Sequence, residues 1–402
     1  ADYVEKVVGS ITEDPVRLRE FRYVKPAAVT AAVPEDTCEK IALVFHDQHA
    51  IHHVHDRGYV EAPVRVRSIL TEIAQSPLFE ILPAATFPEK LIAGVHDVDF
   101  INFFRRSCAD LQDDHPIYPY VFPIRNKARL PKERSLLAGY FCIDTFTPIT
   151  RHAYAAARGA VHCALTAAQE LLKGRRMAYA LVRPPGHHAE RRAFGGFCYF
   201  NDAALAAQFL RRSGRVAILD IDYHHGNGQQ DIFSDRPDVL TVSIHGDPSF
   251  AYPYFSGFRD EIGIGEGAGF NLNLPLPEVV DGERYRRSLA TALRRITEFE
   301  PDFLVVALGL DTAKGDPTGS WSLTRQDFNL NGRMIGELGI PVLVVQEGGY
   351  RTRTLGIHAR SFFEGLSAAH CASAPRRRSA RPAPSTHRIR HHVEPQDPRR
   401  VR

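Results

Sequence analysis

Short runs of apolar, largely β-branched residues alternate with amphipathic stretches along most of the sequence. This alternation constrains the fold more than any other feature. The apolar runs are IALVFH (41–46), MAYALV (177–182), RVAILDI (215–221), VLTVSI (239–244), FLVVALGL (303–310) and PVLVVQ (341–346). Helical periodicity lies between them, for example over 154–172, 202–212 and 285–299. Strands that are apolar on both faces and separated by helices are typical of a parallel sheet covered on both sides. The sequence therefore predicts an α/β domain.

Composition and loop content predict the domain limits. With 402 residues, 44% of them hydrophobic and 24% charged, the chain has an ordinary globular composition. We expect an N-terminal extension over 1–39, one catalytic domain over 40–370 and a loop insertion over 110–150, where prolines are frequent. Residues 371–402 hold nine arginines and only two acidic residues. Such a segment buries little apolar surface, so it predicts a disordered basic tail.

The cysteines and the lack of long apolar runs bear on location. The six cysteines are widely spaced and include no C-x-x-C pair, so neither a disulfide framework nor a thiolate zinc site is indicated. No apolar run approaches the roughly 20 residues that a membrane helix needs. The N-terminus also lacks the pattern of a secretory signal. We therefore expect a cytoplasmic protein that has no contact with a membrane.

Polar clusters follow four of the predicted strands. They are RPPGHH after the strand at 177–182, DIDYHHGNG at the end of 215–221, LDTAKGDPTG after 303–310 and EGGY after 341–346. Ligands of open parallel sheets bind just outside the carboxyl ends of the strands. A single cluster would be interpreted as a solvated turn, but four clusters at the same edge indicate a functional site.

The DIDYHHGNG segment predicts a metal site. Alternation along the strand places Asp220 and Asp222 on one face, with His224 following on the same side. Together with Asp311 from a neighbouring strand, Asp222 and His224 would surround a divalent cation with two carboxylates and an imidazole. Three protein ligands leave a position open for water, which is the layout of a catalytic site. A D-x-D pair alone is a weak signal, because phosphatases and magnesium sites also use it.

Two further features would complete a hydrolytic site. The adjacent His187 and His188 lie on a glycine-containing loop, where one of them would act as a general base toward a water on the metal. Tyr350 follows two glycines that let its loop approach the metal, and it would donate a hydrogen bond to a developing oxyanion. The alternative interpretations are a surface histidine pair and a tyrosine that only packs.

Six segments together identify a family. RPPGHH (183–188), GFCYFND (196–202), DIDYHHGNGQQDIF (220–233), TVSIHGDP (241–248), GLDTAKGDP (309–317) and EGGY (347–350) resemble the zinc-dependent histone deacetylase superfamily. Within it, the chain is most similar to the bacterial acetylpolyamine amidohydrolases, over about residues 41–368. The resemblance implies the arginase/deacetylase α/β fold, with a central, mainly parallel sheet between two layers of helices. It also implies a metal-dependent amidohydrolase that acts on linear amides.

The resemblance assigns the metal and its partner tyrosine. Asp222, His224 and Asp311 match the zinc ligands, and Tyr350 matches the tyrosine that polarises the substrate carbonyl together with zinc. Because a set of two carboxylates and one imidazole also accepts Fe²⁺, Co²⁺ or Mn²⁺, the native metal stays open.

It also assigns the tandem histidines. His188 would act first as general base and then as general acid. His187, held by Asp220, would stay protonated and act through its charge. Asn227 is the implied partner of His188 and would orient its ring without adding negative charge.

Tunnel and potassium positions are implied in the same way. Phe197, next to Gly196, matches one wall of a narrow substrate tunnel. An aromatic residue in AYPYF (251–255), with Phe255 favoured, is expected to form the other. The implied potassium ligands come from Asp220, Asp222, His224, Ser243 and Ile244, with a second site near Phe233 and Val239.

The substrate is open between two classes. The segment 123–150 resembles the insertion by which acetylpolyamine amidohydrolases narrow the tunnel mouth, partly through dimerisation, so we expect a homodimer acting on acetylputrescine or acetylcadaverine. Asp113 and Asp114 would attract the distal ammonium. Thr318 stands where the eukaryotic polyamine deacetylase carries a gatekeeping glutamate. Asp144 matches the rim aspartate with which protein deacetylases grip a peptide, which favours acetyl-lysine as the alternative.

Two more distant alternatives remain. The related manganese ureohydrolases hold two metals with additional carboxylates, but Gly226 and Gly309 stand at the matching places here, which favours one metal. A metal-dependent binding module with the basic tail as a nucleic-acid arm would not need the complete set of ligands, histidines and tyrosine. Nonspecific contact of the tail with nucleic acid is the only such interaction we expect.

Overall fold

A parallel sheet of eight strands forms the centre of the protein. The computed structural model describes residues 39–112, 115–120 and 130–373. The strands are β1 (Ile41–Phe45), β2 (Phe79–Leu82), β3 (Met177–Leu181), β4 (Val216–Asp220), β5 (Val239–Gly246), β6 (Asn271–Leu276), β7 (Phe303–Leu308) and β8 (Val342–Gln346). Their order in the sheet is β2-β1-β3-β8-β7-β4-β5-β6, and every neighbouring pair is parallel.

Helices cover both faces of this sheet. They are α1 (Val64–Ile73), α2 (Val98–Asp110), α3 (Arg134–Leu137), α4 (Ala153–Leu172), α5 (Asp202–Leu210), α6 (Asn227–Phe233), α7 (Gly282–Phe299), α8 (Arg325–Gly336) and α9 (Thr352–Ala372). One core packs α2, α4 and α5 against the sheet, and the other packs α1, α7, α8 and α9 against the opposite face. The predicted three-layer α/β fold is confirmed.

Alternation along the inner strands explains these two cores. In β4, Ile218 belongs to the core with α4 and α5, whereas the adjacent Leu219 belongs to the core with α7. All five residues of β4 are buried, so both faces need apolar side chains. Continuous apolar runs in the sequence are therefore the inner strands of the sheet.

The apolar-run criterion does not detect the strands at the two edges. The edge strand β2 is only half-buried, and the opposite edge strand β6 contains Asn271, Asn273 and Pro275. An edge strand has a neighbour on one side only, so it tolerates polar residues and proline.

Several expectations fall wholly or partly outside the described residues. These include the interpretations of residues 1–38, of Asp113 and Asp114, and of the tail from 374 onward. The described part of the 110–150 insertion contains the short helix α3 and a bridge between Ile117 and Ile149. No helix within the described ranges is long and apolar enough to cross a membrane.

Four described cysteines, Cys108, Cys142, Cys163 and Cys198, are free and buried. The cytoplasmic location stays a prediction.

Candidate active site

The four polar loops meet at one edge of the sheet because their strands are neighbours. The loops follow β3, β8, β7 and β4, which are consecutive in the strand order. All these strands are parallel, so their carboxyl ends point to the same edge. The sheet thus brings together segments that are up to 167 residues apart in sequence, as the hydrogen bond from Tyr179 to Gln346 illustrates.

Strand β4 ends where the predicted metal-binding segment DIDYHHGNG begins. Asp220 is its last residue, and both Asp220 and Asp222 are fully buried. The backbone N–H of Asp222 donates to Asp220 Oδ1 at 3.0 Å, and that of His224 donates to Asp222 Oδ1 at 2.9 Å. These local bonds fold the chain back so that successive polar side chains face one pocket.

Asp222, His224 and Asp311 converge as a possible ligand set. His224 Nδ1 lies 3.1 Å from Asp222 Oδ1 and 3.2 Å from Asp311 Oδ2. The other carboxylate oxygens are held by backbone N–H groups, that of Gly348 on Asp222 and that of Tyr223 on Asp311. Burial and the charge of Asp222 raise the pKa of Asp311 to about 7. The two carboxylates outweigh burial and raise the pKa of His224 to about 9.

The tandem histidines occupy different electrostatic environments. His187 Nδ1 lies 3.0 Å from Asp220 Oδ2, and the charges of Asp222 and Asp220 outweigh burial to raise the pKa of His187 to about 10. His188 is held by Asn227, whose Oδ1 is 2.7 Å from His188 Nδ1. Burial, followed by the positive charge on His187, keeps the pKa of His188 well below its ordinary value. One imidazole is therefore cationic and the other is neutral at pH 7.

Tyr350 is fixed from two directions. Its backbone N–H donates to Asp316 Oδ2 at 2.7 Å, and the guanidinium of Arg65 lies 4.7 Å from its ring centroid. Arg65 Nε also donates to the carbonyl of Gly349 at 2.7 Å. Burial raises the pKa of Tyr350 well above its ordinary value, so its hydroxyl is a hydrogen-bond donor at neutral pH. Sequence reasoning assigned no role to Arg65 or Asp316.

Aromatic rings surround the entrance to these groups. Phe197 contacts the rings of Tyr350 and Tyr59, with centroids 5.8 and 5.0 Å away. Gly196 has a φ of +56°, and a Cβ there would lie 2.2 Å from His188 Cδ2, so only glycine fits. From the opposite loop, Tyr252 lies 4.7 Å from the His188 ring. The sequence predicted an aromatic residue from AYPYF (251–255) at this place but favoured Phe255 over Tyr252.

Phe255, expected as the second tunnel wall, lies on the same loop and is 51% exposed. The ring that this loop places against His188 is that of Tyr252. Phe255 as a wall therefore stays a prediction.

Asp144 lies between the Phe197 and Tyr252 loops. Its Oδ2 accepts hydrogen bonds from Gly196 N–H at 2.6 Å and from the Tyr252 hydroxyl at 3.0 Å. Its Oδ1 accepts from the N–H groups of Phe146 and Thr147. With only 7% of its surface exposed, Asp144 braces the two loops of the wall. The assignment of Asp144 as a rim residue that grips a peptide stays a prediction.

The remaining predicted positions are also placed by the structure. Ser243 and Ile244 are buried in β5, one strand away from Asp220. Phe233 ends α6 and Val239 begins β5. Thr318 donates its N–H and its hydroxyl to Asp316 Oδ1 at 3.1 and 3.0 Å.

Comparisons with known proteins show the family of this chain. The family model described as the histone deacetylase domain matches residues 39–366. Acetylpolyamine amidohydrolase 2 of Pseudomonas aeruginosa is 39% identical over 340 residues, which cover 81% of this chain and 99% of that protein. The crystal structure of acetylpolyamine aminohydrolase from Burkholderia pseudomallei, 38% identical, superposes with a TM-score of 0.76 over 82% of this chain and 99% of that chain. The crystal structure of the HDA15 HD domain, 28% identical, superposes with a TM-score of 0.69 over 81% of this chain and 90% of that chain. The chain therefore belongs to the histone deacetylase domain family.

Proposed function

We propose that this protein is a metal-dependent deacetylase that hydrolyses the acetamide of small acetylated amines to acetate and a primary amine. Acetylpolyamines such as acetylputrescine and acetylcadaverine are the expected substrates. The observation that carries the proposal is the convergence of a carboxylate–imidazole trio, a neutral buried histidine and a tyrosine hydroxyl. Relatives that carry the name acetylpolyamine amidohydrolase support it, since they align over nearly their whole length.

The residues present fit a divalent cation. Asp222, His224 and Asp311 each offer one ligand atom, and these atoms lie within 4.8 Å of one another. Both carboxylates are fully buried, and buried carboxylates are stable only with a positive partner. When bound, Zn²⁺ would polarise the amide carbonyl and lower the pKa of the attacking water. Fe²⁺, Co²⁺ and Mn²⁺ are the alternatives that this donor set accepts.

We also propose potassium next to this site. The expected contributors are Asp220, Asp222, His224, Ser243 and Ile244. Asp220 and Ser243 are register partners on adjacent strands, and both are buried. A monovalent cation there would offset the charge of the two aspartates.

The side chains of this protein would move the protons. Neutral His188 accepts a proton from the attacking water at Nε2, because Nδ1 is engaged by Asn227. The hydroxyl of Tyr350 donates a hydrogen bond to the carbonyl oxygen as negative charge develops on it. His187, cationic beside Asp220, adds positive charge near the same point. His188 then gives its proton to the amide nitrogen, the C–N bond breaks, and acetate and amine are released.

The wall of the tunnel bears on substrate class. A peptide substrate needs a polar group at the rim that is free to bind its backbone. Asp144 was the candidate for this role, but its oxygens accept bonds from Gly196, Tyr252, Phe146 and Thr147. This occupancy supports a small amine over an acetyl-lysine protein substrate.

The substrate class is tested by kcat/KM on zinc-loaded protein with potassium present. Acetylputrescine and acetylcadaverine are compared with an acetyl-lysine peptide. We expect the small amines to be preferred about a hundredfold, equivalent to about 2.7 kcal/mol of differential transition-state binding. A preference for the peptide would instead make the protein a lysine deacetylase.

We further propose a homodimer. Tyr254, Phe255 and Phe258 are 60, 51 and 41% exposed, and all lie on the loop that carries Tyr252. Such a group of exposed aromatic side chains is typical of an interaction surface. Light scattering during gel filtration should give twice the chain mass of 45.0 kDa, and a monomer would contradict this proposal.

A further inference from the structure

Glu190 is a carboxylate beside the catalytic histidine that the chemistry above does not use. It follows His188 by two residues, and its Oε1 accepts a hydrogen bond from Asn227 Nδ2 at 2.8 Å. The other end of the same amide, Asn227 Oδ1, lies 2.7 Å from His188 Nδ1. The three side chains form a continuous chain of hydrogen bonds. We propose that Glu190 is a positioning residue for the hydrolysis, acting on His188 through Asn227. The inference rests on the proposed deacetylase activity.

The chemistry of an amide explains why such a residue is needed. The two ends of the Asn227 amide have nearly the same shape, but one donates and the other accepts. An ionised carboxylate only accepts, so Glu190 requires the NH₂ group to face it. The carbonyl must then face His188, whose Nδ1 has to carry the proton. This leaves the lone pair on Nε2, the atom that acts as the base.

The reversed amide would produce the wrong tautomer. With NH₂ facing His188, Nδ1 would become the acceptor and the ring proton would move to Nε2. His188 would then have no lone pair available for the attacking water. Two acceptors oppose this orientation. The backbone carbonyl of His188 accepts from Asn227 Nδ2 at 3.3 Å, and Glu190 Oε1 accepts from it at 2.8 Å, so the ionised carboxylate is the stronger of the two.

Backbone hydrogen bonds hold Glu190 and Asn227 in place. The N–H of Glu190 donates to the carbonyl of Ala193, and the carbonyl of Glu190 lies 2.9 Å from His96 Nδ1. The N–H of Asn227 donates to the carbonyl of His225 at 2.9 Å. These contacts fix the positions of the carboxylate and the amide, so the hydrogen bond between them follows from the fold of the site.

Glu190 also supplies a charge that Asn227 lacks. An amide orients His188 but gives no electrostatic support to the imidazolium that forms when the base takes a proton. The carboxylate of Glu190 is hydrogen-bonded to Asn227 and so lies one hydrogen bond further from His188 than the amide does. Burial and the neighbouring Asp231 raise the pKa of Glu190 to about 7. Assays are therefore run about two pH units above this value, where the carboxylate is ionised.

A double-mutant cycle tests the direction of the hydrogen bonds. Glu190→Gln keeps the shape but leaves only the longer bond to the His188 carbonyl to select the orientation of Asn227, so we expect kcat to fall about tenfold with KM and zinc content unchanged. Asn227→Asp places two carboxylates in contact and should also lower kcat. In the double variant, the glutamine amide donates to the introduced aspartate, which still accepts from His188. The double variant should therefore be more active than Asn227→Asp alone.

This reversal distinguishes positioning from a merely structural role. Glu190→Gln should lower kcat when asparagine is at position 227 and raise it when aspartate is there. Asp231→Asn is the matched control, because it removes a nearby charge without touching Asn227. Asparagine also preserves the acceptor for the Arg191 N–H, which lies 2.8 Å away. The kcat of Asp231→Asn should stay within about twofold of the wild-type value.

Nitrogen-15 NMR of labelled histidine gives a readout that does not depend on turnover. The His188 signal, assigned by its loss in His188→Ala, should report Nδ1–H in the zinc-loaded wild type and a mixture of tautomers in Glu190→Gln. Equal tautomers in both proteins, or additive effects on kcat in the cycle, would overturn the inference. Absence of acetate release by the wild type would instead refute the proposed function, while the NMR comparison would still decide the role of Glu190.

Discussion

Replacing Tyr350 by phenylalanine would remove one hydroxyl from the site and leave its surroundings in place. The backbone of Tyr350 is held by Asp316, and its ring lies against the guanidinium of Arg65. Neither contact uses the hydroxyl, so phenylalanine keeps both. The raised pKa of Tyr350 means that the lost group is a neutral hydrogen-bond donor.

The expected loss follows from the burial of the site. Removing one donor to a developing oxyanion typically lowers kcat about 10²- to 10³-fold, or about 2.7–4 kcal/mol. Asp222 and Asp311 close to this tyrosine are fully buried, so water has little access to replace the donor. We therefore expect the upper part of that range. KM should change less than about threefold, because the bond strengthens mainly in the transition state.

The assay is acetate release from acetylputrescine at saturating substrate, with one zinc per chain verified beforehand. Tyr154→Phe is the control, because the Tyr154 hydroxyl donates to Glu89 Oε2 at 2.6 Å and neither residue belongs to the predicted site. This control should lose about 1 kcal/mol of stability and keep its kcat. If Tyr350→Phe with bound zinc retained more than about a third of wild-type kcat, the role of the tyrosine as the oxyanion donor would be refuted.

Three other perturbations give equally definite expectations. His188→Ala should lower kcat about 10²- to 10⁴-fold while zinc content, measured by elemental analysis, stays the same; full activity would remove His188 as the base. Gly196→Ala places a Cβ 2.2 Å from His188 Cδ2 at a φ of +56°, so displacement of that ring should lower kcat at least about 10²-fold, and wild-type turnover would contradict the wall geometry. Zinc competes with protons on Asp311 and His224, whose pKa values are raised to about 7 and about 9. Affinity measured by calorimetry should therefore rise as pH increases from about 6 to 9, and a Kd independent of pH would contradict the ligand assignment.

The sequence predicted the parts of the fold that depend on local pattern. Inner strands such as β4 are buried on both faces, so their apolar runs are visible without knowledge of their neighbours. The edge strands β2 and β6 were missed, because one exposed side relaxes that pattern. The D-x-D-x-H spacing likewise revealed Asp222 and His224, since a strand end fixes which side chains share a face.

The residues that hold the site in place could not be predicted in the same way. Arg65 reaches the carbonyl of Gly349 across 284 positions in sequence, and no local pattern announces that contact. Asp144 looked like a rim residue by resemblance, but its environment depends on Gly196 and Tyr252 folding over it. Glu190 lies two residues beyond the RPPGHH segment, and its proposed role becomes visible only through its bond to Asn227.

The most direct test of the central claim is acetate release before and after metal replacement. Protein treated with a chelator and then dialysed is assayed with acetylputrescine, first alone and then with one equivalent of Zn²⁺. We expect no release by the stripped protein and recovery of turnover at one zinc per chain, with Asp311→Ala failing to recover because it lacks one ligand. Equal release with and without metal, or no release by a wild-type chain carrying one zinc, would contradict it.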